Sequence, residues 1–209
     1  MNNKTTITVA VAAVIGLFVL VGPGIWRRFR DAPDIPAIAS TGGVELDILA
    51  SGEGAYYLQA DRRWASDAVG GSGERLSAVG CTICSVAMAA THLGHNVTPQ
   101  ELNAKLITAG GYTDRGWLIW SKIHNATDGR IGVRVPSRMT HADLDDAIQS
   151  GAVPVVKFFL PGGIPHWVAI VGKSGQEYLV KDPLDSRKRI SPLSNKTKKI
   201  VSVRYVEKS

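Results

Sequence analysis

The chain has 209 residues, with 24 Lys+Arg against 18 Asp+Glu and only two cysteines. Setting aside an apolar N-terminal stretch and the polar segment after it leaves about 155 residues, enough for one domain with a sizeable core and too few for two. Two cysteines exclude a disulfide framework, and the basic excess crowded into Arg187, Lys188, Arg189, Lys196, Lys198 and Lys199 lacks the interleaved aromatics of a single-strand binder, so it reads as a solvated face and no nucleic acid is expected.

From Thr5 to Trp26 the sequence carries no charge. About 20 mostly apolar residues are what a helix needs to cross a bilayer. Arg27, Arg28 and Arg30 follow at once and no A-x-A-like cleavage site is evident, so residues 1–30 read as a single-pass membrane anchor with a basic flank rather than a cleaved signal. Lys4 and the amino terminus stand against three arginines downstream, which leans the domain toward the cytoplasmic face. Residues 31–55, rich in Pro, Gly, Ala and Ser, read as a stem with at most one short strand. The domain proper is expected over 56–209.

Helical signals open that domain. Residues 81–93, CTICSVAMAATHL, are Ala-rich and end at Gly94. Thr98-Pro99-Gln100-Glu101 predicts a capped helix start with Pro at its first position, and Gly110-Gly111 closes it. Thr140 repeats the grammar, with Asp143 at the third position, Leu144, Ala147 and Ile148 as the buried stripe, and Gly151 as the stop. Strand signals follow at 153–160, 166–172, 177–182 and 199–206, separated by turn clusters. Helices followed by hairpin-linked strands predict an α+β fold with an antiparallel sheet.

The two cysteines lie in Gly80-Cys81-Thr82-Ile83-Cys84-Ser85. A C-x-x-C pair can be a metal half-site, a redox couple, a nucleophile with a neighbour, or two buried thiols. His92 and His95 complete an inviting metal string, but on one helix Cys84 and His92 stand about 12 Å apart along the axis, too far to share a zinc held at about 2.0–2.3 Å. The redox reading wants a strong strand before the first cysteine, and LSAVG is a weak one. For the nucleophile, Cys81 sits at a helix start, where unpaired N–H groups and the dipole favour a thiolate, and Gly80 clears the approach. Such a sulfur needs a base in reach and a group that orients the base.

A hairpin centred on Ser174 supplies both. Residues whose numbers sum to 348 then face each other, which sets His166 opposite Asp182 at the end of a stripe of Val168, Ile170, Tyr178 and Val180. A two-residue turn at Ser174-Gly175 would set Trp167 opposite Asp182 instead. Taken alone, His166 could equally be a structural histidine at a strand end and Asp182 a turn residue before Pro183.

Tyr57 to Trp64, Gly80-Cys81 with Ser85, Ala87 and Met88, Pro165-His166-Trp167 through Gly172, and Lys181-Asp182-Pro183 together resemble the stand-alone relatives of the bacteriocin-processing, double-glycine leader peptidases, a papain-like cysteine peptidase group. The resemblance covers about residues 56–206. It implies a papain-like fold, with Cys81 as nucleophile, His166 as general base and acid, Asp182 fixing the imidazole, and Gln59 lending an N–H to the oxyanion hole. Cys84 departs from the family, which usually has Thr or another small residue there; it reads as a small core residue. Gly172-Lys173-Ser174 is no phosphate loop, since the glycine required five positions before Gly172 is Trp167.

The expectation is therefore a membrane-anchored thiol hydrolase acting on peptide or protein substrates, with no cofactor and no metal. The same residues would serve an amidase or acyltransferase on cell-wall peptide or a small metabolite, and a catalytically silent peptide-binding module is the alternative outside enzymes. His92, His95, His124 and His141 read as helix ends, loop and cap neighbours, and Trp64, Trp117, Trp120 and Trp167 as core or rim packing.

Overall fold

A computed structural model of the protein describes residues 36–48 and 55–209. The predicted membrane segment Thr5–Trp26 lies outside the described residues, and among the described ones no helix is long and apolar enough to cross a membrane.

Each predicted helix forms where its end signals stand. Helix α1 (Leu76–Val79) is a single turn closed by the bond from Gly80 N–H to Leu76 O at 2.8 Å, and α2 (Cys81–His92) starts directly after it. Gly80 has ordinary backbone angles, so freedom of φ is not its role; a Cβ there would stand 2.3 Å from Leu76 O. Helix α3 (Pro99–Thr108) carries the full capping box between Thr98 and Glu101. Helices α4 (Lys122–Ala126) and α5 (His141–Gln149) follow, the latter capped by the Thr140 side chain accepting from Asp143 N–H.

The strands are β1 (Ile38–Ala39), β2 (Thr41–Ile48), β3 (Ile131–Arg134), β4 (Val153–Leu160), β5 (Ile164–Lys181), β6 (Ser191–Pro192), β7 (Lys199–Ile200) and β8 (Ser202–Lys208). A six-stranded antiparallel sheet runs β2-β5-β4-β8-β3 with β6 also on β5, and β1 pairs with β7. This is an α+β architecture.

Alternation along the strands places two cores on opposite sheet faces. Val153, Val155, Ala169 and Val171 join Ile83, Val86, Ala87 and Ala90 of α2. Val156, Phe158, Val168, Ile170, Tyr178 and Val180 join Leu144, Ala147 and Ile148 of α5.

Three features depart from expectation. The segments 166–172 and 177–182 belong to one continuous extended element, β5, which must reverse within itself. Sixteen residues of straight strand would span about 53 Å, whereas the His166 and Asp182 side chains are 2.7 Å apart. The reversal falls near Ser174 and Gly175, whose φ of +56° favours glycine. Second, the boundary at residue 56 moves: Thr41–Ile48, read as stem, is an edge strand on β5. The sequence reading allowed one short strand in this segment but not its place on the sheet, because backbone groups, rather than alternating apolar side chains, fasten it: Val44 N–H donates to Asp145 Oδ2 at 2.8 Å and Val44 O accepts from Lys173 Nζ at 2.6 Å. Third, the strand expected over 199–206 divides at Val201, whose N–H donates to Lys157 O, so β7 turns to β1 and β8 to β4.

Candidate active site

The first turn of α2 delivers Cys81, which is 8% exposed, with its opening N–H groups lacking carbonyl partners one turn back in the same helix. One turn further in, Ser85 Oγ donates to Trp167 O at 3.0 Å, tying α2 to β5 next to His166. Cys84, fully buried, points into the core, and burial pushes its thiol well above the usual range.

His166 is 2% exposed. The Phe158 ring meets it edge-on at 5.3 Å, from the position opposite on β4. Its Nε2 lies 2.7 Å from Asp182 Oδ1. A carboxylate only accepts, so Nε2 donates and Nδ1 is left for the sulfur. Burial alone would push the imidazolium down, but the hydrogen bonds to Asp182 and to Cys81 and their charges more than offset it, and the pKa rises to about 9. Cys81 is thus among the groups that hold the imidazole's pKa up.

Asp182 is held from every side. Burial would raise its pKa, yet the bond and charge of His166, the Leu184 N–H at 2.9 Å and Lys196 hold it down at about 2. Lys196 Nζ stands 3.1 Å from Oδ2 and 3.5 Å from Asp185. The Tyr56 hydroxyl accepts from Asp182 N–H at 2.9 Å and donates to Asp182 O at 3.1 Å, and its own pKa is pushed up to about 12, chiefly by burial.

Gln59 is buried between these segments. Its backbone N–H donates to Pro183 O at 3.1 Å and its Nε2 donates to Ser77 O at 2.9 Å, four residues before Cys81. One amide N–H therefore serves the scaffold, and the amide carries a second. Its Oε1 is buried without a partner.

Sequence reasoning assigned Lys196 to a solvated basic run; the structure corrects this, since the loop returning through Leu193, which is fully buried, presses it against the carboxylate. Neither Lys196 nor Tyr56 carries a motif that would single it out. Of the tryptophans, Trp64 is core, Trp120 and Trp167 meet at 5.1 Å beneath Arg204, and Trp117 is exposed. Among the described residues no group of three or more His, Cys, Asp or Glu could hold a metal ion.

A thiol at a helix start, a buried imidazole with one nitrogen fixed by a carboxylate, and amide donors nearby are groups that can carry acyl transfer. No family model matches the chain, and no curated protein does. Among solved structures, a crystal structure from Bacillus anthracis described as a candidate C39-like peptidase is similar to 78% of this chain and 100% of that one, with a TM-score of 0.46 and 12% identity. An identity and a TM-score this low leave the chemistry to be read from the site itself.

Proposed function

We propose that this chain is a papain-like cysteine peptidase, a stand-alone relative of the bacteriocin-processing group, anchored to a membrane through residues 5–26. The observation that carries the reading is the buried His166–Asp182 contact of 2.7 Å, with Cys81, at the start of α2, among the groups that raise the imidazole's pKa. A histidine buried only for packing would need no fully ionised carboxylate on one nitrogen and a sulfur near the ring.

In the proposed reaction the Cys81 sulfur attacks the substrate carbonyl, forming an S–C bond while negative charge develops on oxygen. The N–H groups at the start of α2 and the second N–H of Gln59 would stabilise that charge. The tetrahedral species collapses with cleavage of the C–N bond, and His166 gives its Nδ1 proton to the leaving amine. Water, deprotonated by the now neutral imidazole, then cleaves the thioester and returns the sulfur. Asp182 keeps Nε2 protonated and the ring oriented throughout.

The test is digestion of a peptide library by the full chain and by Cys81→Ala. New termini made by the wild type and absent with the variant are expected; identical product profiles would overturn the peptidase reading and favour a silent binding module.

A further inference from the structure

We infer that Lys196 is a positioning residue of this site: by binding Asp182 Oδ2 it shares the carboxylate with His166 and sets the pH range over which the sulfur–imidazole pair is reactive. The inference rests on the proposed reading of Cys81, His166 and Asp182.

The two oxygens of Asp182 are divided. Oδ1 takes His166 Nε2 at 2.7 Å and Leu184 N–H at 2.9 Å, while Oδ2 takes Lys196 Nζ at 3.1 Å. A carboxylate bound through one oxygen alone can swing about its Cβ–Cγ bond and carry the imidazole with it. Bound through both, it cannot. Lys196 is 24% exposed, so it reaches the carboxylate from the rim of the site rather than from the core.

Its own place is fixed by the chain. β6 pairs with Leu179 and Val180 just before Asp182, Leu193 is buried in the second core, and Lys196 N–H donates to Leu193 O at 2.8 Å. The loop from Asp182 to Lys196 thus closes on its own starting residue.

The consequence is electrostatic. With neutral imidazole the Asp182–Lys196 pair carries no net charge; with imidazolium the three groups carry one positive charge. A cation there opposes protonation of His166 and favours the thiolate. Removing it moves both limbs of the pair's pH profile upward together, and those limbs belong to the Cys81–His166 pair rather than to either residue. The other groups facing the site stay in place: Tyr56 against the Asp182 backbone, and Asp185, which is 3.5 Å from Lys196 and 3.7 Å from Arg187.

The experiment needs no substrate. Iodoacetamide alkylation of Cys81 in the full chain is followed by mass spectrometry across pH for wild type, Lys196→Met, Lys196→Arg and His166→Ala, with thermal melts as a check on folding. In Lys196→Met both limbs are expected to rise by about half to one pH unit, the screened effect of one charge several ångströms away. Lys196→Arg should keep the wild-type limbs. Unmoved limbs in Lys196→Met, or equal displacement in Lys196→Arg, would overturn the role of Lys196 while leaving the peptidase reading intact. A His166→Ala profile identical to wild type would instead remove the sulfur–imidazole pair, and this inference with it.

Discussion

Asp182→Asn isolates the contact on which the site depends. The side-chain oxygen remains to accept from Leu184 N–H, and Lys196 keeps Asp185 at 3.5 Å, so the scaffold loses little. The imidazole loses its anion, and only Cys81 is left to offset burial, the largest influence on it. In the wild type the imidazole's pKa lies above its ordinary 6.5 at about 9. A group raised by folding contributes stability that is fully present below its unfolded pKa and lost as pH rises through its folded one. That contribution is about 3 kcal/mol, disappearing between about pH 6.5 and about pH 9. The asparagine variant keeps only the part of it that Cys81 supplies. Urea unfolding of both proteins, followed by tryptophan fluorescence at several pH values across that window, should show the wild type's advantage shrinking as pH rises, by up to about 3 kcal/mol. Other titrating groups are common to both proteins and cancel in the difference. A difference that stays constant across the window would refute the claim that this carboxylate holds the imidazolium. Peptide turnover should fall by about 10²- to 10⁴-fold in the same variant.

Gly80→Ala places a methyl group 2.3 Å from Leu76 O and must displace the start of α2; thermal melts should report a loss of about 1–3 kcal/mol, with slower alkylation of Cys81. The two cysteines should separate cleanly in timed iodoacetamide labelling, because Cys84 is fully buried with its thiol pushed up by burial: Cys81 labels first, and Cys84 only on unfolding. Equal rates would show that α2 does not present Cys81 as described. Asp145→Ala strands the fully buried Lys173, whose ammonium sits 2.6 Å from that carboxylate, and should cost about 3–5 kcal/mol in urea unfolding.

Local chemistry made the helices legible. The Thr98–Glu101 capping box and the Thr140 cap are satisfied within four residues of chain, so no tertiary knowledge was needed to read them. The meeting of His166 with Asp182 was legible for a related reason: a two-residue period and one reversal put both at the end of the stripe formed by Val168, Ile170, Tyr178 and Val180, all of which lie in one core. What could not be read were contacts made by long loops and by backbone. Lys196 reaches Asp182 only after the intervening chain has paired through β6 and buried Leu193, and nothing in a run of basic residues distinguishes the one that turns inward. β2 hid in a Gly-rich segment because its anchor is the amide of Val44 rather than an apolar side chain.

His166 stands near the start of β5 and Asp182 directly after its end, the two arms between them joined through the exposed Ser174. Severing the polypeptide at that bend would leave sulfur and imidazole on one fragment and the carboxylate on the other. On the proposed peptidase reading each piece alone would lack turnover, which would return only on their reassociation, so this tip is the natural place to cut the protein for a split reporter.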